Sequence, residues 1–194
     1  MAQRSIPPVL VPPDAAPLAV VSMFNAALER MMRSSTATPF KARFDMLAPA
    51  VDRAFDLATI LSVSIGARWT GLDAAVKADL SAVFRTYTIA SYVANFGGHE
   101  GEAFEIEPET RASGADQIVR TRIAPRTGDG IKLDYVMRQS DAGWRAVDIL
   151  ADGTISRVAV QRSDFRGLLG RDGNTAALLD SLRKKIADLS GGAL

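Results

Sequence analysis

Apolar side chains recur along the chain with two different spacings. Up to residue 96, the large apolar residues return every three or four positions, which is the spacing of one face of an α-helix. From residue 102 they return every second position, which is the spacing of one face of a β-strand, and helical spacing resumes near the C-terminus. Helices followed by strands and then by helices predict an α+β domain.

The first two predicted helices begin at recognisable start signals. The first follows Asp14, a suitable N-cap, and has Pro17 in its first turn. The second follows Thr38-Pro39 and carries a stripe of large side chains on one face. Because Pro49 lacks an amide hydrogen, we expect the second helix to kink or restart there.

Two further helices precede the strands. A short one, "DLATILSVSIG", is predicted to be capped by Asp56 and stopped by Gly66. The longest is predicted to start at Asp73 and to stop at Gly97-Gly98. Its predicted buried line consists of Val76, Leu80, Phe84, Tyr87 and Ser91.

Five consecutive segments then alternate between apolar and polar residues: "EAFEIE", "QIVRTRIA", "IKLDYVMR", "WRAVDIL" and "TISRVAVQR". Short turns rich in glycine and aspartate separate most of them. Strands joined by short turns predict an antiparallel meander with one buried face. A curled sheet of about five strands would pack on the N- and C-terminal helices and leave a cone-shaped apolar cavity between the layers.

The last predicted strand leads into a helix through Arg162-Ser163-Asp164. Either Ser163 or Asp164 is expected to cap the helix "DFRGLL". The segment "NTAALLDSLRKKIADL" follows as the C-terminal helix.

Length and composition are those of a globular protein with one domain. The chain has 194 residues, 47% of them hydrophobic and 23% charged, and its formal net charge is +1. This charge gives no reason to expect a nucleic-acid partner. The absence of cysteine excludes disulfides and thiolate chemistry. No apolar run approaches the ~18 residues of a membrane-spanning helix, so we expect no stable membrane insertion.

The N-terminal segment is predicted to lie outside the folded domain. Five of the nine prolines fall within the first 17 residues. Residues 1–14 are therefore interpreted as an extended leader and residues 15–194 as a single domain. The leader lacks the basic and apolar regions of a signal peptide and is typical of a mature N-terminus with an added Met1.

The sequence contains little catalytic or metal-binding chemistry. His99 is the single histidine, which is too few for a two-histidine metal site, and we interpret it as a surface-loop residue. A dyad of His99 with Glu100 or Glu102 is the alternative. We predict no catalytic residue, no metal and no cofactor.

Asp134 and Asp148 are unusual because they are acidic residues inside predicted strands. If either faced an apolar cavity, burial would raise its pKa and make it a general base, as in cone-shaped isomerases. The alternative is that Asp134 alternates outward and pairs with Lys132 or an arginine. The sequence does not determine which face of the sheet Asp148 lies on, because apolar residues occur on both faces of its strand.

The remaining signal is a surplus of large apolar residues on the predicted buried faces. Such residues fill a solid core, but they also line lipid pockets. Periodicity alone does not separate these two arrangements.

Several segments resemble the MlaC-like toluene-tolerance auxiliary proteins, in the same order along the chain. They are "RFDMLAPAVDRAFDLATI", "GEAFEIE", "IVRTRI", "LDYVMRQSDAGWRAVDIL" and "GTISRVAVQRSDFRGLL". The resemblance extends from about Ala16 to Leu189 and is greatest to the hopanoid-associated branch called HpnM. Most of the resemblance comes from Trp144-Arg145, Val147-Asp148 and Arg162-Ser163 with Phe165. At position 161 this chain has glutamine, whereas many relatives have tyrosine.

The resemblance implies a periplasmic protein of Gram-negative bacteria, made with a signal peptide that has been removed. It implies a fold that holds lipid acyl chains between its layers and contributes to outer-membrane homeostasis. The implied partners are an inner-membrane ABC transport complex with an MCE-domain ring and an outer-membrane protein. For the hopanoid branch, an RND-type transporter is the alternative inner-membrane partner.

The leading hypothesis is a non-enzymatic carrier of a phospholipid or a hopanoid-type lipid. The rivals are a cone-shaped α+β enzyme acting on a small apolar substrate and a transporter adaptor that binds no lipid. Arg162 is the candidate contact to a partner or a headgroup. The side chains predicted to contact lipid are Phe44, Leu47, Val51, Phe55, Ile60, Trp69, Phe84, Tyr87, Phe104, Ile106, Ile123, Leu133, Tyr135, Met137, Val147, Ile149, Val158 and Phe165.

Overall fold

The computed structural model describes residues 16–34, 37–170 and 174–194. The predicted leader and the predicted cap Asp14 lie outside these residues. Within the described ranges, six α-helices and seven strands form an α+β fold, which confirms the predicted class. None of the described helices is long and apolar enough to cross a membrane.

Four helices precede the sheet, as predicted. Asp56 caps the third helix by accepting a hydrogen bond from the amide of Thr59 at 2.9 Å, and Gly66 ends it with φ at +75°, a backbone conformation that favours glycine. A short 3₁₀ turn, Gly66–Gly71, leads on to the fourth helix. The bounds are α1 Pro17–Arg33, α2 Phe40–Ala54, α3 Leu57–Ile65 and α4 Ala74–Asn95.

Helix α2 continues through Pro49, so the predicted restart at this residue is wrong. A proline inside a helix removes one backbone hydrogen bond at a cost of about 3 kcal/mol. Leu47 and Val51 lie on either side of the proline and are fully buried. Their packing against the rest of the core outweighs the missing hydrogen bond.

The seven strands form one antiparallel sheet around a long central strand. Five are β1 Ala103–Ile106, β2 Arg111–Ser113, β3 Asp116–Val119, β4 Thr121–Ala124 and the central β5 Ile131–Ser140. The last two are β6 Gly143–Ala151 and β7 Ile155–Ser156. The order is β1-β4-β5-β3-β2, and β6 pairs with β5 and with β7.

Strands β3 and β4 together correspond to the single predicted strand "QIVRTRIA". Both pair with β5 in one continuous register, with Val119 opposite Tyr135 and Arg122 opposite Lys132. The interruption lies at Arg120. The difference from the five predicted strands therefore comes from this interruption and from the short strand β2, which the sequence analysis missed.

A β-bulge in the pairing of β5 with β6 explains why the facing of Asp148 is ambiguous in the sequence. Tyr135 pairs with Ile149 and Met137 pairs with Ala146, so β6 has one more residue than β5 between these two pairs. The extra residue changes, at this point of β6, which side chains face each side of the sheet.

The predicted end of the last strand is wrong. Strand β7 ends at Ser156, and residues 157–162, predicted as strand, are helical. Ser156, and not Ser163 or Asp164, is the N-cap, because its hydroxyl accepts a hydrogen bond from the amide of Ala159 at 2.9 Å. The two C-terminal helices are α5 Arg157–Arg166 and α6 Ala176–Ser190.

Asp148 of β6 provides a second anchor for the start of α5. Its carboxylate accepts hydrogen bonds from the hydroxyl of Ser156 and, at 3.1 Å, from the amide of Val158. Two amides of the first helical turn, which have no partner within the helix, are therefore bonded to side chains. Val158 and Phe165, seven positions apart, bury one face of α5.

The core lies between the helices and the sheet and is centred on an aromatic cluster. The ring of Phe24 on α1 contacts Phe55, Tyr92 and Tyr135, with centroids 5.1, 5.2 and 6.2 Å apart in edge-on geometry. These contacts join α1, the end of α2, α4 and β5. On the other side of α4, helix α6 buries Leu178 and Leu182.

The observed cap of α5 leads to a stability prediction. Ser156→Ala should lower the free energy of unfolding by about 1 kcal/mol, because the Ala159 amide loses its acceptor. Ser163→Ala on the exposed surface of the same helix is the control and should change it by less than about 0.5 kcal/mol. Urea unfolding measures both values, and a larger loss in Ser163→Ala would contradict this cap.

Candidate ligand-binding cavity

A cavity of about 390 Å³ lies between the sheet and helices α3, α4 and α5. This volume falls within the range of about 300–1,000 Å³ that is usual for small-molecule pockets. Leu133, Ile149 and Ala151 form its floor on β5 and β6. Leu57 and Ile60 of α3 close one side.

Helix α4 provides the longest wall. Its lining positions recur at intervals of three and one, so they form a single stripe along one face of the helix. From the first lining residue to the last they span twelve positions, or about 18 Å at the ~1.5 Å rise per residue of an α-helix. The lining residues are Phe84, Tyr87, Thr88, Ser91, Tyr92, Asn95 and Phe96.

Two hydroxyl groups of this wall are bonded within the helix itself. Thr88 donates to the carbonyl oxygen of Phe84 at 2.9 Å, and Ser91 donates to the carbonyl oxygen of Tyr87 at 2.8 Å. Their hydroxyl hydrogens are therefore not available to a ligand. Thr88 and Ser91 can thus line an apolar cavity without leaving unpaired donors.

Helix α5 forms the opposite wall through Arg157, Val158 and Gln161. The amide oxygen of Gln161 accepts a hydrogen bond from the hydroxyl of Ser64 on α3 at 3.3 Å. Gln161 therefore contributes to the contact between α3 and α5.

The cavity has a closed end and an exposed end. At the closed end, Phe84 of α4 and Phe165 of α5 meet edge-on with ring centroids 6.3 Å apart, and both are buried. At the other end, Asn95 and Arg157 are the exposed residues of the lining. Between these ends, burial raises the pKa of the Tyr92 phenol well above its usual value.

Seven of the eighteen residues predicted to contact lipid line this cavity: Phe55, Ile60, Phe84, Tyr87, Leu133, Ile149 and Val158. The other eleven do not. They are Phe44, Leu47, Val51, Trp69, Phe104, Ile106, Ile123, Tyr135, Met137, Val147 and Phe165.

The residues outside the lining fall into three groups. The first group is buried within the hydrophobic core and comprises Phe44, Leu47 and Val51 on α2, Tyr135 and Met137 on β5, and Phe165 on α5. Trp69 lies half-buried on the 3₁₀ turn, with the ammonium of Lys77 5.6 Å from its ring centroid. Ile123 and Val147 are buried outside this core cluster, while Phe104 and Ile106 on β1 are half-buried.

Sequence reasoning missed part of the α4 wall. The predicted buried line stopped at Ser91, but the same spacing continues to Tyr92, Asn95 and Phe96. Extending the helical period to the end of α4 would have found them. Gln161 and Arg157 were missed because their segment was assigned to a strand.

Arg162 does not line the cavity. It is exposed on α5, and its guanidinium lies over Gly66, where a Cβ atom would come within 3.4 Å of it. A role in contacting a partner or a headgroup stays a prediction.

His99 lies in the loop between α4 and β1 and is more enclosed than a typical surface residue, with a side chain that is 10% exposed. Its Nε2 is 3.6 Å from Glu29 and its Nδ1 is 3.8 Å from Glu102. The amide of Gly101 donates to Nδ1 at 3.0 Å. His99 does not line the cavity, and within the described ranges no three or more histidine, aspartate or glutamate side chains are placed so that they could hold a metal ion.

The two strand aspartates differ in their surroundings. Asp134 follows Leu133 on β5, so it projects from the face of the sheet opposite to the cavity. Burial raises the pKa of its carboxyl, although the Thr121 amide and the charges of Arg120 and Arg111 act in the other direction. Asp148 lines the cavity, but both of its carboxylate oxygens accept hydrogen bonds at the start of α5.

Comparison with known proteins gives two findings. The model of a family described as MlaC protein matches residues 22–184. The fold is similar to the 1.53 Å structure of a phospholipid-binding protein from Ralstonia solanacearum in complex with a phospholipid. The TM-score is 0.78 at 18% identity, with 91% of this chain and 99% of that chain covered. No curated protein sequence matches the chain.

The raised pKa of Asp134 leads to a pH-dependent prediction. As pH rises past about 4, the unfolded chain ionises this carboxyl before the folded protein does, so its ionisation lowers the stability of the native state at neutral pH. Asp134→Asn should therefore raise the urea midpoint near pH 7 and leave it unchanged at about pH 3, below both pKa values.

Asp129→Asn, in an exposed turn, is the control for this measurement and should shift neither midpoint. A lower midpoint for Asp134→Asn near pH 7 would show that ionised Asp134 stabilises the fold through its arginine neighbours, contrary to this prediction.

Proposed function

The chain belongs to the MlaC protein family, and we propose that it is a periplasmic carrier that moves a lipid between membranes. The observation that carries this proposal is the apolar cavity between α4, α5 and the sheet. The phospholipid named for the structurally similar protein from Ralstonia solanacearum supports the same class of ligand.

The length of the cavity suits an acyl chain. Its α4 wall spans about 18 Å, and one leaflet of a bilayer has a hydrocarbon layer of about 15 Å, half of ~30 Å. Burial of apolar groups contributes about 0.8 kcal/mol per CH₂, so a chain of ~16 carbons gains on the order of 12 kcal/mol on leaving water. A carrier obtains most of its affinity from this term.

The cavity also supports the carrier over the two rivals. An adaptor with a solid core has no need of an internal space of this size. An enzyme needs a free acid or base beside its substrate, whereas Asp148 holds α5 and Asp134 lies on the other face of the sheet. These placements favour binding over catalysis.

The proposal includes partners and a ligand class. The ligand is a phospholipid, or a hopanoid-type lipid if the resemblance to the HpnM branch extends to function. The partners are an inner-membrane transporter of the MCE-domain or RND type and an outer-membrane protein. Arg162, exposed on α5 outside the cavity, is the proposed contact to one of them.

Native mass spectrometry of the purified protein, followed by lipid extraction, tests the proposal directly. We expect a mass increment that extraction removes, together with rebinding of added phospholipid. A protein that carries no lipid and binds neither phospholipid nor hopanoid when these are supplied would refute the carrier function.

A single substitution tests whether the cavity is the lipid site. Leu133→Trp should lower the lipid-bound fraction in native mass spectra, because an indole at this lining position fills space that an acyl chain would occupy. Ile131→Trp is the control on the same strand, since Ile131 is 53% exposed and should retain wild-type occupancy. Unchanged occupancy in a folded Leu133→Trp protein would remove Leu133 from the lipid site.

A further inference from the structure

We propose that Arg157, assisted by Asn95, binds the phosphate ester of the lipid headgroup at the exposed end of the cavity, so that the acyl chain points toward Phe84. This inference rests on the proposed lipid-binding function. It adds an orientation of the ligand and a preference for an anionic headgroup.

The asymmetry of the cavity supports this orientation. Phe84 at the closed end is 1% exposed, and its contact with Phe165 brings α4 and α5 together there. Asn95 lies eleven residues further along α4, about 16 Å away along the helix axis, and is exposed like Arg157. An amphiphile placed tail first would thus have its polar end beside these two residues.

The charge of Arg157 is available to a ligand. Among the residues that the structure describes, carboxylates form ion pairs with Arg33, Arg85, Arg120, Arg138 and others, but none does so with Arg157. Asp148 also lines the cavity, but its oxygens accept hydrogen bonds from Ser156 and Val158. The guanidinium therefore has no anionic partner within the described part of the fold.

The start of helix α5 does not provide the anion site by itself. The amides of Val158 and Ala159 donate to Asp148 and Ser156, so these two donors of the first turn are occupied. The side chain of Arg157 is the donor at the start of α5 that remains available to an anion. A guanidinium binds a phosphate through two parallel hydrogen bonds, and the amide of Asn95 can donate a third.

Arg157 is also close enough to the cavity for its positive charge to affect the pKa of a lining residue. Burial raises the pKa of the Tyr92 phenol, and the positive charge of Arg157 opposes that rise. Both residues line the same cavity. A phosphate at the guanidinium would consequently lie at the entrance and not at a distant surface.

This arrangement favours phosphate-bearing lipids over uncharged ones. A neutral polyterpenoid alcohol gains the same apolar burial but offers no anion to Arg157. Hydrogen bonds to charged groups contribute about 1.5–3 kcal/mol, which corresponds to roughly tenfold or more in affinity.

Two lipids with the same tail test the proposal. Binding of 1-palmitoyl-lysophosphatidylglycerol and of 1-monopalmitoylglycerol is measured below their micelle concentrations for the wild type, Arg157→Gln and Arg166→Gln. The wild type should prefer the phospholipid, and Arg157→Gln should reduce this preference about tenfold while binding monopalmitoylglycerol as before. Arg166→Gln, exposed on the same helix but outside the cavity lining, should keep the wild-type preference.

The possible failures are distinguishable. If both lipids bind the wild type and Arg157→Gln keeps its preference, the headgroup assignment is wrong and the carrier function stands. If neither lipid binds the wild type, the carrier function fails, and the headgroup site fails with it. If inorganic phosphate binds the wild type in the absence of lipid and Arg157→Gln abolishes that binding, Arg157 forms a free-phosphate site. That result also overturns the assignment.

Discussion

The start of helix α5 depends on a contact between residues that are ten positions apart in the chain. Asp148 on β6 accepts hydrogen bonds from Ser156 and from the amide of Val158 and so fixes where the helix begins. Held in this way, α5 packs on α3 and β6, while its contact with α4 includes the Phe84–Phe165 pair at one end. The cavity lies between α4, α5 and the sheet, so the position of its α5 wall depends on the half-buried carboxylate of Asp148.

Local signals in the sequence were sufficient for much of the fold. The Asp56 cap, the Gly66 stop and the change of period near residue 100 all correspond to features of the structure. The start of α5 was not predictable in this way. Residues 155–160 alternate as a strand would, but Val158 and Phe165 also fit one helical face, and the contact that decides between these patterns comes from Asp148.

The site was harder to predict than the fold because periodicity gives the face on which a residue lies and not what lies opposite. Tyr135 and Leu133 share a face of β5, yet Tyr135 contacts Phe24 in the core while Leu133 lines the cavity. The difference arises from which helix covers each part of the strand. That information depends on the packing of layers, which no single segment contains.

The internal hydrogen bonds of Thr88 and Ser91 have a consequence for the range of cargo. Because these hydroxyls donate to their own helix, a guest along the inner part of the α4 wall meets mainly dispersion contacts. Such contacts depend weakly on the position of a double bond or a methyl branch in the tail. A wall of this kind would therefore accept a mixture of tails that differ in saturation without any change in the protein.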